Sequence, residues 1–257
     1  MADARKIVVK FGSNTLANAE GKMNAAFLSE FANQAATLIR SGKQIVIVSS
    51  GAQVAGLSTL DKWARKKDIH YRQALCAIGQ VELMDAWRRA FEQFNLHIAQ
   101  ILLTREDFNN SNRTLNMRNT LFTLVDEGII PIINENDTVS VEEIKIGDND
   151  TLAANSAILW SADLLILFSD IDGVFDKNPK EHADANLIEE VWDIDALRKK
   201  ISIGSANSFG TGGISTKLDA ARLATSYGIP AILTRGNRPG SLEAMTNGKQ
   251  KGTMFLT

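Results

Sequence analysis

Short runs of consecutive apolar residues alternate along the chain with longer stretches of helical period. The runs Ile7 to Phe11, Gln44 to Ser50, Ile98 to Thr104, Ile129 to Asn134 and Asp163 to Ser169 are rich in β-branched and aliphatic side chains. Asn24 to Arg40, about Tyr71 to Phe94, about Leu115 to Glu127 and about Asn149 to Trp160 carry apolar residues at the three- and four-residue spacing of a helix face. This alternation predicts βα units. The fold class is α/β, a three-layer αβα sandwich around a mainly parallel open sheet. The segments IVIV, ILL, IIPII and LLILF are apolar at successive positions, as central strands covered on both faces must be.

Three features modify that scheme. The DTVSVEEIKI stretch between Asn136 and Ile146 alternates at period two, which predicts an antiparallel hairpin open to solvent on one side and rimming a site. An Asp/Gly/Asn/Pro-rich loop runs to Pro179, a helix starts near Ser215, and a closing strand lies near Ala231 to Thr234. No Pro/Gly/Ser linker, low-complexity tract or repeat divides the chain, so one domain with two functional halves is expected, about 1–162 and about 163–257.

Composition narrows the function. With 28 basic against 30 acidic residues among 257, there is no general attraction to nucleic acid or to an anionic membrane. An anionic ligand must be held by a local cluster of donors. A single cysteine excludes an internal disulfide framework, and three widely spaced histidines give no zinc pattern. Cys76 lies among Ala74, Leu75 and Ile78 and reads as a small core residue. No apolar run approaches a membrane span, and the opening MADARKIVVKFG lacks the features of a signal peptide, so a cytoplasmic protein is expected.

In an open parallel sheet, ligands gather beyond the carboxyl ends of the strands. The first run ends in KFGSN (10–14), a lysine followed by a turn whose backbone can approach phosphate. Further polar ends are SSGAQVAG (49–56), NENDT (134–138) and GDNDT (147–151). Each alone is equally a surface lysine, a cap or a turn. GDNDT lacks the glycine and glutamate spacing of a calcium loop. It is their joint occurrence that points to a ligand.

SFGTGGISTKLDAA (208–221) places a glycine-rich loop before Lys217 and a helix, an arrangement suited to polyphosphate. It matches neither a Walker A loop nor the dinucleotide GxGxxG fingerprint. Two lysines about two hundred residues apart, each beside flexible backbone, suit phosphoryl transfer, in which catalysis is mostly positioning and electrostatics. No histidine lies in these loops. A carboxylate acceptor needs none, because its pKa of about 4 leaves it ionised at neutral pH.

VVKFGSN, VSSGAQVAG, INENDTVSVEEIKIGDND, LFSDIDGVFDKNP and GTGGISTK, in this order from Lys6 to about Leu256, resemble the amino acid kinase family, and most of all its glutamate-phosphorylating members. The resemblance implies the amino acid kinase fold and ATP-dependent phosphorylation of the side-chain carboxylate of L-glutamate to L-glutamyl 5-phosphate, the first step of proline biosynthesis. Carried onto matching positions, Lys10 and Lys217 stabilise the transferring phosphoryl group and Asp150 holds both lysines. Ser50, Gly51, Asn134, Asp137 and Asn149 bind glutamate. Ser169 and Asp170, with Thr211, Gly212, Gly213, Ile214, Ser215, Thr216 and Lys217, bind ATP; the family often has Thr at position 169. Magnesium arrives on the ATP phosphates, with no protein metal ligands, and proline commonly inhibits.

Many of these members carry an additional C-terminal PUA domain, and this sequence is expected to lack it. Dimers or tetramers are usual, and the hairpin or the helix bearing Trp87 and Phe91 could serve self-association, although core packing explains both aromatics as well. Other acceptors stay open: acetylglutamate, which lacks a free ammonium to pair with Glu135 or Asp137, or a nucleoside monophosphate read by Arg105, Arg113 and Arg118. A non-catalytic sensor of ATP or an amino acid is a further alternative, whereas nucleic-acid binding lacks any basic, aromatic-lined stripe.

Overall fold

Four of the five apolar runs become the middle of one sheet, because each is long enough for a strand and apolar toward both neighbouring layers, whereas Ile98 to Thr104, expected to be central as well, forms a half-exposed edge strand paired on one side only. A computed structural model describes residues 3–18, 20–60, 68–140, 149–177, 179, 181–204, 213–238, 240–248 and 251–257. The strands are β1 (Lys6–Phe11), β2 (Gln44–Ser49), β3 (Ile98–Leu103), β4 (Ile130–Glu135), β5 (Leu164–Ser169), β6 (Glu190–Val191), β7 (Ala231–Arg235) and β8 (Thr253–Phe255). Their order across the sheet is β3-β4-β2-β1-β5-β7-β8-β6. Every pairing is parallel except β7 with β8. The sandwich inferred from sequence is therefore present.

The helices are α1 (Ser13–Leu16), α2 (Ala25–Arg40), α3 (Ala52–Leu60), α4 (Ile69–Glu92), α5 (Ser111–Asp126), α6 (Asp150–Trp160), α7 (Ile194–Gly204), α8 (Gly213–Ser226) and α9 (Ser241–Thr246). Two hydrophobic layers follow from the alternation of strand side chains. Ile7, Val9 and Phe11 of β1 face α2 and α4, where Phe31, Trp87 and Phe91 are buried. Val8, with Val46, Val48, Leu165 and Leu167, faces α6 and α8. Lys10 has the parity of Val8. Its side chain therefore leaves the sheet on the α6/α8 side, which sets up the site.

The first layer holds an aromatic cluster, with Phe11 and Phe31 at 4.7 Å edge to face and Trp87 stacked on Phe91 at 5.9 Å. Such pairs each contribute about 0.5–1.5 kcal/mol beyond their area. Because Trp87 and Phe91 are fully buried, neither belongs to a surface for self-association; core packing is the correct reading. Trp87 Nε1 donates to Ser49 Oγ at 3.0 Å, so its polar edge is satisfied inside the core. Helices α3 and α4 touch backbone to backbone. A Cβ at Gly79 would lie 1.8 Å from the Ala52 carbonyl oxygen, and one at Gly56 2.0 Å from that of Leu75.

The structure corrects several local expectations. Asn136 to Ser140 do not begin a strand; they form a turn in which the Val139 and Ser140 amides donate to the Asn136 carbonyl. Residues 141–148, the remainder of the expected hairpin, lie outside the described residues. The helix expected near Ser215 starts at Gly213, α4 starts at Ile69, and α5 starts at Ser111. The short strands β6 and β8 and the helices α7 and α9 had no counterpart in the sequence reading. No helix among the described residues is long and apolar enough to cross a membrane.

Candidate active site

Polar side chains converge where β1, β2, β4 and β5 end at the same edge of the sheet. Lys10 stands one residue before the end of β1, between Val48 of β2 and Leu167 of β5, and is 2% exposed. An ammonium buried to this degree requires a counter-charge. Asp150, the first residue of α6, supplies it, with Lys10 Nζ 2.6 Å from its Oδ1. The other carboxylate oxygen, Oδ2, accepts from Lys217 Nζ at 3.0 Å and from Thr216 Oγ1 at 2.9 Å. One carboxylate thus clamps two ammonium groups from opposite ends of the chain.

Burial alone would raise the Asp150 carboxyl, but Lys10 and Lys217 outweigh it and hold the group below the usual carboxylate range. Asp150 also occupies the first turn of α6, and Lys217 lies in the first turns of α8. Two helix N-termini and two ammonium groups therefore face one negative charge. The balance is positive. It can accommodate further anionic oxygens without removing the clamp.

Beside this clamp lies a ring of neutral amides and hydroxyls. Asn149 is the N-cap of α6, yet its side chain makes no capping bond. It forgoes about 1 kcal/mol of cap stability. Its Nδ2 donates instead to Ser50 Oγ at 2.9 Å and to Asn134 Oδ1 at 2.8 Å, while its own Oδ1 is buried with no hydrogen-bond partner among the described residues. Gly51 follows Ser50 with φ +109°, and a Cβ there would press on Leu16 Cδ1 at 3.1 Å, so the turn after β2 requires glycine. Ser50, Gly51, Asn134 and Asn149 are brought together as the sequence suggested.

Asp137 follows two residues after β4 and is 6% exposed, with Oδ1 buried and without a hydrogen-bond partner among the described residues. Burial pushes its carboxyl up to about 6; a hydrogen bond from the Cys76 thiol opposes this, the nearby Glu135 adds to it, and Arg72 opposes. Cys76 is thus a core residue, as its neighbours implied, that also touches a predicted substrate-binding group. Gln73 Nε2 donates to the Asp137 backbone carbonyl at 3.1 Å. Gln80 Oε1 accepts from Asn134 Nδ2 at 2.8 Å.

Sequence reasoning passed over Gln73 and Gln80 and read Cys76 and Trp87 only as core or, for Trp87, as a surface for self-association. Their signal was there: Gln73, Cys76, Gln80 and Trp87 follow a three-four-seven spacing that places them on one helix face. The structure joins that face to Asp137, Asn134 and Ser49.

Of the residues expected to bind ATP, Ser169 ends β5 and donates to Asp170 Oδ1 at 3.1 Å. Gly213, Ile214, Ser215, Thr216 and Lys217 form the first turns of α8. Thr211 and Gly212, like Gly147 and Asp148 of the GDNDT stretch, lie outside the described residues. Next to Ser169 in register stands Arg235, which donates to Asp172 at 3.0 and 3.3 Å. Arg113 is exposed on α5 and paired with Asp107 at 2.8 Å, and Arg118 lies 5.4 Å from the centre of the Phe122 ring.

Comparison with known proteins matches this architecture. Residues 5–235 fit the model of the amino acid kinase family. The chain is 63% identical over 252 residues to "Glutamate 5-kinase" of Alkaliphilus metalliredigens, covering 98% of this chain and 96% of that protein. It is 58% identical over 256 residues to "Glutamate 5-kinase" of Alkaliphilus oremlandii, covering 100% of this chain and 97% of the relative. Among solved structures it superposes on carbamate kinase from Giardia lamblia bound to AMP-PNP with a TM-score of 0.70 at 16% identity, over 100% of this chain and 99% of that one. At that identity the likeness speaks for the fold alone. The sequence matches, with a site built at the same strand ends that the fold predisposes to ligands, establish that the chain belongs to the amino acid kinase family, in its glutamate 5-kinase branch.

Proposed function

We propose that the chain transfers the γ-phosphoryl group of ATP to the side-chain carboxylate of L-glutamate, giving L-glutamyl 5-phosphate and ADP, the step that commits glutamate to proline synthesis. The observation that carries this reading is the double clamp of Lys10 and Lys217 on Asp150 beside the Ser50, Asn134 and Asn149 cluster, with the buried Asp137 two residues beyond the end of β4. The close relatives' shared name supports the acceptor.

A side-chain carboxylate oxygen of glutamate attacks the γ-phosphorus. The bond to the bridging oxygen breaks, and ADP leaves with its electron pair. Both partners are anions, so the barrier lies in bringing them together and in charge spreading over the phosphoryl oxygens. Lys10 and Lys217 meet that charge, and Asp150 keeps both ammonium groups in place between turnovers. Donors fixed in this way cost little reorganisation during reaction. No proton has to be removed from the acceptor, which agrees with a site lacking histidine.

Asp137, with Asn149 Oδ1, offers acceptors for the α-ammonium of glutamate. Acetylglutamate has no such group, and of the arginines suited to a nucleotide acceptor Arg113 and Arg118 stand on α5, where Arg113 is already paired, while Arg105 lies in the turn before it. Ser169, Asp170 and the start of α8 would hold ATP, which places the glutamate end largely in residues 1–162 and the ATP end in 163–257. Magnesium would ride on the ATP oxygens and neutralise part of their charge. Proline, also an ammonium carboxylate, would compete at the Asp137 end. Assembly into dimers or tetramers is part of the same reading, supported by the exposed apolar side chains Val81 and Val139. An enzyme that consumes ATP belongs in the cytoplasm.

The test is to incubate the protein with ATP and magnesium and trap acyl phosphate with hydroxylamine. Glutamate, acetylglutamate, aspartate and uridine monophosphate are supplied in turn. Hydroxamate with glutamate alone supports the reading. ATP binding without hydroxamate from any acceptor would instead identify a sensor.

A further inference from the structure

The amide chain beside the clamp has a direction. The Glu135 backbone N–H, which can only donate, reaches Asn134 Oδ1 at 2.9 Å. That contact fixes which end of the Asn134 amide is oxygen. Asn134 Nδ2 must then point the opposite way, where Gln80 Oε1 receives it at 2.8 Å. Gln80 Nε2 in turn lies 3.4 Å from Gln100 Oε1 of β3.

Because Asn134 Oδ1 is an acceptor, the atom of Asn149 that meets it at 2.8 Å must be the nitrogen. The same nitrogen uses its second hydrogen on Ser50 Oγ at 2.9 Å. Both donors of Asn149 are thereby consumed, and only its oxygen remains. That oxygen is buried and has no hydrogen-bond partner among the described residues, as is Asp137 Oδ1. Two buried acceptors with no partner among the described residues suit a donor brought by a ligand. An amino acid's ammonium group has three.

We propose that Gln80 is a positioning residue for substrate recognition: by holding Asn134 it fixes Asn149 so that an amide oxygen, and not an amide nitrogen, meets the α-ammonium of the bound amino acid. The inference rests on the glutamate reading given above and deepens it. Without the acceptor on Gln80, the Asn134 nitrogen loses its buried partner and only the Glu135 N–H still opposes a turn of the amide. Asn149 can then turn with it, presenting N–H groups toward a cation. The loss falls on the ammonium and not on the side-chain carboxylate or on ATP.

Glutarate has both carboxylates of glutamate and no ammonium, so the ratio of kcat/KM for glutamate to that for glutarate isolates this contact. Hydroxamate formation is measured with both acceptors for the unaltered protein and for Gln80→Leu, Gln80→Met and Gln80→Glu. The Leu and Met variants are expected to lower the ratio about tenfold, the scale of a hydrogen bond to a charged group. The change should enter through the KM for glutamate, leaving the KM for ATP within about twofold. Gln80→Glu keeps an oxygen for Asn134 and is expected to retain most of the discrimination. An unchanged ratio in folded Leu and Met variants overturns the proposal. So does an equal loss on both acceptors, which would mark Gln80 as merely structural. If the unaltered protein makes no product from glutamate, the functional reading falls first and this inference falls with it.

Discussion

Replacing Asp150 by Asn changes one charge and almost no volume. The amide keeps an oxygen for one lysine and must turn its nitrogen toward the other, since Lys10 lies 2.6 Å from Oδ1 and Lys217 3.0 Å from Oδ2. Two ammonium groups, their side chains 3% and 13% exposed, are then left facing two helix N-termini without a counter-charge. Removing one partner of a buried pair costs about 3–5 kcal/mol. For a chain of this size that lowers Tm by about 2–4 °C per kcal/mol, or about 6–20 °C in all. Because the folded carboxyl lies below its ordinary value, the stability difference from the parent is fully present above pH about 4 and shrinks as acid protonates Asp150.

ATP should rescue part of that stability. Its phosphates bring negative charge to the same two lysines, so the Tm rise with saturating ATP should be larger for Asp150→Asn than for the parent. Turnover should fall about 100-fold, the scale of misplaced reacting groups. The assays are thermal melts with and without ATP, and hydroxamate formation at saturating substrates. A variant that melts within about 2 °C of the parent and turns over within about threefold would refute the clamp as the organiser of the site.

Three other perturbations test separate parts of the account. Lys10→Met and Lys217→Met should each lower turnover about 100- to 1,000-fold while leaving the KM for glutamate within about threefold, and steady-state kinetics with unchanged turnover would remove their role. The carboxyl of Asp137 is raised to about 6, so kcat/KM for glutamate should fall as pH drops through that value and the ammonium loses its charged partner; Asp137→Asn should lower kcat/KM and flatten that limb of the profile. The raised pKa also means that protonated Asp137 favours the folded state below pH about 4, an advantage lost as pH rises through about 6, so melts of Asp137→Asn should lack this dependence. Gly79→Ala would put a methyl group 1.8 Å from the Ala52 carbonyl oxygen and should cost about 3 kcal/mol or more, read as a fall in the urea midpoint.

The central strands were legible in the sequence because helices cover them on both faces, which leaves an unbroken apolar run as their signature. β6 and β8 were not, since two or three residues carry no periodicity and exist as strands only through pairing with each other and with β7. The hairpin reading failed over Asn136 to Ser140 for a different reason. A hairpin open to solvent would expose its polar positions and cover its apolar ones, but Asp137 and Ser140 are buried while Val139 is exposed.

The strand-end loops pointed to a ligand unaided, because several of them carry polar and glycine residues together where an open parallel sheet gathers its ligands. Which lysine meets which carboxylate came only with the family resemblance, since about two hundred residues separate Lys10 from Lys217. Gln80 escaped both routes. On α4 a glutamine reads as a solvated position until the fold turns that face toward Asn134.

The most direct measurement of the central claim follows the oxygen atoms. Glutamate labelled with ¹⁸O in its side-chain carboxylate is turned over with ATP and magnesium, the product is cleaved at carbon by hydroxylamine, and the released phosphate is read by ³¹P NMR. Transfer onto the carboxylate predicts one ¹⁸O in each phosphate. Unlabelled phosphate would mean that water, and not glutamate, receives the phosphoryl group.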